Sequence, residues 1–529
     1  MFKTQKWLYK YLVGSIFLSS IFITYFFSLY KLLSFTKLSN LGKVILNTFN
    51  SYTFHVIFFS FYQAFISAIL TLVLSIIIAH SFYYQKIIKI RFLIKISALL
   101  STLPSLSIIL SLLSIFSSNG WVAILVKHIG INYSWNFYGF IPILIGNIIF
   151  NLPLGINIFY NALNEVPENN KKLAKQFCIK NLTYIKNIDL PYIKKSIPSS
   201  FVLFFLLCFT SFTSVLILGG SPKDTTLEVL IYENIIFNFN LSSAAILAIT
   251  QLIISLIFFI FIPKNIFLSQ KTQTKNSIFP KFNRSIKIIQ SISIALFIIT
   301  LISILAAIFL PIFQIGNIFN YINLTVIKAF ITTLIIGLLS GIINIIMCLF
   351  ILNISRNLLL NKFNNLGNII NNLGLFIISI PALIISIGLF FILNKFLENY
   401  YLILFIISFL NAILTIPYSL NFLKIKFTQN LISNNKLSLS LGVKYLKFFR
   451  YVDLPIIKKE ILLSFIWSFS LSIGDFTIVS LFGNNNFITL PWLLYQDLNK
   501  YQNNAAIFIS FIISLTIFFS FIISELFHD

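Results

Sequence analysis

Apolar runs recur along the whole chain, separated by short polar stretches, and each has the ~20 residues needed to cross a ~30 Å hydrocarbon core as a helix. Twelve spans are predicted, near residues 11–30, 54–80, 93–117, 137–160, 197–219, 243–262, 287–312, 324–352, 369–394, 400–420, 460–482 and 504–526. No soluble core calls for such a series. The pattern therefore predicts an all-α polytopic membrane protein. The first run follows Lys3, Lys6 and Lys10, is long for the apolar part of a signal peptide, and has no Ala-x-Ala after it. It is expected to stay attached as a membrane helix.

The pattern also repeats. Ile188-Asp189-Leu190-Pro191-Tyr192-Ile193-Lys194-Lys195-Ser196-Ile197 is echoed by Val452-Asp453-Leu454-Pro455-Ile456-Ile457-Lys458-Lys459-Glu460-Ile461. Seven of the ten positions are identical, and the two prolines stand 264 residues apart. Ala64-Phe65-Ile66 corresponds in the same way to Ala329-Phe330-Ile331, Asn147 and Pro153 to Asn411 and Pro417, and Thr226-Leu227 and Tyr232 to Thr489-Leu490 and Tyr495. Pro104 and Pro381 match less closely in spacing, so loop lengths differ there. The chain is predicted to be two homologous halves of six helices in parallel orientation. Its expected segments are a first helix and outer loop (1–53), a first domain (54–262), a basic linker with the seventh helix (263–323) and a second domain (324–527).

Composition agrees: 58% of the 529 residues are hydrophobic and 10% charged. The net charge of +25 would suggest nucleic acid in a soluble protein. Here its distribution gives a different reading. Thirty of the 38 Lys and Arg fall in segments that the alternation of spans puts on one side. By the positive-inside rule that side is the cytoplasm, which places both termini and both repeated loops there. No nucleic-acid partner is expected, and the lipid bilayer is the principal surroundings. Cys178, Cys208 and Cys348 have neither metal-ligand spacing nor an even count for disulfides. His55, His80, His128 and His528 are scattered. No paired acid–base constellation, metal set or Gly-rich phosphate loop is present, so neither catalysis nor a bound cofactor is expected of this chain.

The loops carry more. Short helices are predicted before each Asp-Leu-Pro, at about Glu168–Ile179 and Asn434–Val443. Proline disfavours helix in the residue before it and suits the first turn of the next. One such basic loop would be read as a topology determinant. Two at matching places are read as a docking surface. Within the spans, Asn147 and Asn411 occupy matching positions, each six residues before a proline. Either they face a shared cavity or they form hydrogen-bonded contacts between helices. Asp475 is an acid inside an apolar span, and such residues face a cavity or a partner.

These loops resemble the cytoplasmic motif of permeases from binding-protein-dependent ABC importers: Glu-Ala-Ala, three residues, Gly, nine residues, then Ile-x-Leu-Pro. In the second half Gly442, Val452, Leu454 and Pro455 fit it. In the first half Ala174, Ile188, Leu190 and Pro191 fit, and Cys178 stands in the Gly position. The acidic triplet has drifted to Lys172-Leu173-Ala174 and Lys436-Leu437-Ser438. The segments Leu218-Gly219-Gly220-Ser221-Pro222-Lys223, Thr225–Glu233, Gly474-Asp475-Phe476, Leu481-Phe482-Gly483 and Asn486–Gln496 are similar to the fused permeases of bacterial thiamine importers.

The resemblance implies an ABC type-1 permease in a bacterial inner membrane. It implies two copies of an ATPase subunit, which hold the ATP and dock on the two loops, and a periplasmic binding protein that delivers substrate. Thiamine or its phosphate esters are the implied cargo, and Asp475 would be a counter-charge for the thiamine cation. Ferric iron or a polyamine is the alternative within the class. A secondary carrier, which also uses two six-helix halves, is the alternative outside it.

Overall fold

In the computed structural model the protein is described from residue 2 to 526, except for 35–40, 86–96, 98–99, 131–135, 261–279, 281, 316–317, 361–362, 372, 394–398, 441–448 and 485. Ten helices among the described residues are long and apolar enough to cross a membrane. They account for ten of the twelve predicted spans. The other two are present in shorter, interrupted form. Near 369–394 the chain forms Leu373–Ile378, breaks before Pro381 and resumes as Ala382–Ile392. Near 460–482 the helix Leu454–Ile473 begins earlier than predicted, carries Lys458, Lys459 and Glu460 in its first turns, and stops at Gly474. Most of the linker, 261–279 and 281, lies outside the described residues.

Each half is built on three mutually packed helices in matching order. In the first half these are Ser51–Tyr84, Phe140–Asn164 and Leu190–Phe209; in the second they are Leu324–Leu360, Tyr400–Ser440 and Leu454–Ile473. Small residues permit the close approach. A Cβ on Gly155 would lie 2.6 Å from the Ser75 side chain on the neighbouring helix. Buried hydroxyls such as those of Ser60, Thr71, Ser408 and Ser464 donate to carbonyls four residues back on their own helices. That satisfies them where no water is available. Outward-facing Phe58, Ile77, Ile299, Ile302 and Phe518 remain exposed, which suits lipid as the surrounding solvent.

The first helix of each half packs on the opposite half. Phe2–Ser34 lies against Ala382–Ile392 and Leu324–Leu360. Arg284–Phe309 lies against Ser51–Tyr84 and Ser105–Phe116. The first of these contacts is tight. Ser28 Oγ donates to the Ile385 carbonyl at 3.1 Å, and a Cβ on Gly388 would come within 2.3 Å of Ser28 Cα.

One predicted element differs. The stretch 434–443 was expected to be a separate short helix like Glu168–Gln176, but 434–440 is the end of the 41-residue helix Tyr400–Ser440. The first half breaks at Val166-Pro167, where proline excludes helix in the residue before it. The second half has Asn430-Leu431 there, and nothing interrupts it.

Candidate functional site

Two matching corners carry the repeated loops. Pro191 has no N–H to return to an earlier carbonyl, and the turn before it widens. Ile185–Asp189 is a π-turn, with the Leu190 N–H reaching the Ile185 carbonyl. Phe449–Asp453 is the same device in the second half. Each π-turn leads directly into a 20-residue helix, Leu190–Phe209 or Leu454–Ile473, with its proline in the first turn.

The aspartate of each corner is fully buried and anchored to the long second helix of its own half. Asp189 Oδ1 accepts from Tyr84 Oη at 2.6 Å, and Asp189 Oδ2 lies 3.4 Å from His80 Nε2. Asp453 Oδ2 accepts from Arg356 Nη1 at 2.6 Å, and the Arg356 guanidinium also sits over the Phe427 ring. A negative charge at the start of a helix is favoured by the helix dipole as well. The first corner is thus held by an imidazole and a phenol, the second by a guanidinium. Both aspartates stand within the sequence repeat, but nothing in its pattern gives them a role. The available signal was an acid kept between apolar residues at the same place in both halves.

Around the first corner, Glu168–Gln176 lies close in. Ala174 is buried, and its carbonyl accepts from the Ile179 N–H at 2.9 Å. Lys171 is also buried. Its ammonium donates to Tyr83 Oη at 2.7 Å; burial lowers its pKa from the usual lysine value, while Glu168 and Asp189 act against that shift. Cys178 is exposed and adopts φ 51°, a left-handed backbone. Facing outward are Leu173, Phe177 and Leu182, at 48%, 74% and 72% exposure, an apolar knob on a basic surface. Ile188 and Leu190 are half-buried and Pro191 is exposed. In the second half Val452 is half-buried, and Leu454 and Pro455 are exposed beside Ile456 and Tyr451. Gly442 lies outside the described residues.

Asn147, Asn411 and Asp475 are not joined by any hydrogen bond among the described residues. Asn147 Nδ2 donates to Gln63 Oε1 at 2.9 Å, and its Oδ1 accepts from Ser214 Oγ at 3.3 Å, so it ties three segments of the first half together. Asn411 is equally buried, but its Nδ2 has no hydrogen-bond partner; the neighbouring contacts run instead through Asn344, Thr415 and Ser468. Asp475 lies at the break after Leu454–Ile473 and accepts the N–H groups of Thr477 and Ile478, both at 3.2 Å.

At the end away from the repeated loops, a cavity of about 920 Å³ opens between residues 320–326 and the helix Leu490–Asn499. Trp492, Gln496, Asp497, Lys500 and Tyr501 line it.

Residues 72–264 match the family described as the binding-protein-dependent transport system inner membrane component. The thiamine transport system permease protein of Haemophilus influenzae is 32% identical over 460 residues, covering 86% of this chain and 85% of the relative. That of Escherichia coli is 28% identical over 487 residues, covering 90% and 89%. That of Brucella abortus is 28% identical over 458 residues, covering 86% and 84%. The matches to these relatives run through both halves, and the chain belongs to the family of thiamine transport system permeases, inner membrane components of binding-protein-dependent transport.

Proposed function

We propose that this protein is the membrane-spanning permease of an ATP-driven importer that moves thiamine, or its phosphate esters, into the cell. The observation that carries the reading is the identity to the Haemophilus influenzae thiamine permease over most of both chains. Both termini and both repeated corners face the cytoplasm. One ATPase subunit docks at each corner, with Leu173, Phe177 and Leu182 as the contact in the first half and Tyr451, Leu454 and Ile456 in the second. A periplasmic binding protein releases substrate at the opposite face, where the cavity beside Trp492 and Lys500 opens. ATP binding must favour one arrangement of the halves over the other, or nothing moves. The 20-residue helices that start just after Asp189 and Asp453 connect the docking corners to the far end of the molecule.

The test is uptake by cells that lack their own thiamine permease and express this chain with its ATPase and binding protein. Thiamine uptake that excess ferric iron or putrescine does not reduce supports the reading. Uptake of iron or putrescine without thiamine would overturn the substrate. Uptake that survives loss of the ATPase and fails with an uncoupler would overturn the class.

A further inference from the structure

Both halves interrupt a spanning helix at the same place. Leu190–Phe209 stops at Thr210-Ser211 and Phe212–Leu218 begins. Leu454–Ile473 stops at Gly474, and Val479–Phe482 follows after a short irregular stretch. Non-helical backbone within a membrane protein is tolerated where it is packed in protein or lines a path. Here the breaks bring counterpart residues into contact. Phe212 and Phe476, equivalent in the repeat, stack with centroids 6.1 Å apart and planes 11° from parallel. The equivalent Tyr232 and Tyr495 flank them, Tyr232 edge-on to Phe212 at 5.2 Å and Tyr495 against Phe476 at 4.7 Å. The four rings form one row, Tyr232–Phe212–Phe476–Tyr495, that reads the same from either end.

Two residues related by an approximate two-fold rotation can touch each other only at the rotation axis. In transporters with parallel repeats that axis runs along the membrane normal, and substrate passes at the repeat interface. The phenylalanine pair therefore sits on that axis. A flat ring packs at about 3.5 Å from each face of a sandwich, so admitting one needs about 7 Å between the phenylalanines. At 6.1 Å between centroids the pair leaves no room for such a ring, and Phe212 and Phe476 are 2% and 1% exposed. The halves differ at the position before each phenylalanine. Asp475 precedes Phe476, whereas Ser211 precedes Phe212. No lysine or arginine lies between Ile461 and Asn499 to supply a local counter-charge in the sequence. The two N–H groups on Asp475 fix its carboxylate at the break.

We propose that Phe212 and Phe476 are the two leaves of a gate on the axis, and that on parting they sandwich the flat cationic ring of the substrate, with Asp475 as its counter-charge and Tyr232 and Tyr495 as side walls. The gate itself rests on the geometry; the cation subsite rests on the proposed function. Each gate leaf follows a 20-residue helix from its corner, about 30 Å at 1.5 Å per residue, so movement of a corner is transmitted directly to its leaf.

Two measurements test this on the complete complex in lipid vesicles. The first is passive efflux of tetraethylammonium without ATP or binding protein. Phe212→Ala with Phe476→Ala is expected to leak at least tenfold faster than the unaltered complex, and Phe212→Trp with Phe476→Trp to stay tight. An alanine pair as tight as the parent would overturn the gate. The second is the KM for thiamine uptake. Phe476→Leu stays apolar but loses the π face, and is expected to raise KM about thirtyfold, the fold-change that corresponds to a desolvated cation–π contact; Asp475→Asn keeps the shape but loses the charge, and is expected to raise KM at least tenfold. Phe476→Trp should restore the low value. Unchanged KM in both variants would overturn the subsite. An unaltered complex that takes up no thiamine would overturn the substrate reading and the subsite with it, while the leak measurement still decides the gate.

Discussion

Cys178 holds a backbone angle that a glycine would hold at lower cost. A left-handed conformation costs an ordinary L-residue roughly 1–2 kcal/mol, because its Cβ crowds the following carbonyl. The family motif has glycine at this position, and φ 51° supplies the physical reason. Cys178→Gly is expected to stabilise the first corner by up to about 1 kcal/mol, part of the gain being offset by the greater freedom of glycine in the unfolded chain. Thermal unfolding of the purified protein would read this as a small rise in midpoint. The opposite corner depends on charge. Arg356→Met leaves the buried Asp453 carboxylate without its guanidinium, and breaking a buried pair from one side costs about 3–5 kcal/mol. The same scan should show a large drop for Arg356→Met and recovery in the double variant Arg356→Met, Asp453→Leu, because that change removes both charges together.

At the scale of elements, the repeated corners were legible because their signals are local: a proline, a charge pattern and an echo in the second half. Their helix starts at Leu190 and Leu454 follow from Pro191 and Pro455. The anchors were not legible, since Tyr84 is 105 residues from Asp189, and Arg356 is 97 from Asp453. Nothing in periodicity pairs residues so far apart. Of the short helix expected at 434–443, residues 434–440 continue the preceding helix for a reason the sequence does contain, the absence of a proline to match Pro167. Of the three polar residues read as path candidates, Asn147 is part of a hydrogen-bonded contact between helices, while Asp475 stands next to the axis because the chain breaks there. Helix docking at this scale depends on small residues. Gly388→Val places side-chain atoms where Ser28 backbone now lies, and such overpacking typically costs 1–3 kcal/mol. A cysteine at a neighbouring lipid-facing position of Phe2–Ser34, cross-linked to one on Ala382–Ile392, would report the loss as a fall in cross-linking yield.

At the scale of the whole molecule, two-fold likeness is general but not complete. Both corners use a π-turn and a buried aspartate, and both halves send a 20-residue helix to the axis. The differences are confined to chemistry at those points: imidazole and phenol against guanidinium, serine against aspartate, and Pro198 within only the first of the two helices. The contribution of each half to transport is therefore not interchangeable. The crossed placement of Phe2–Ser34 and Arg284–Phe309 has a mechanical consequence. Each half is clasped by a limb belonging to its neighbour, as in two interlocked hands. Sliding apart would require both limbs to peel away at once, whereas a small rocking leaves both grips intact. The embrace favours tilting about the midline over separation of the halves.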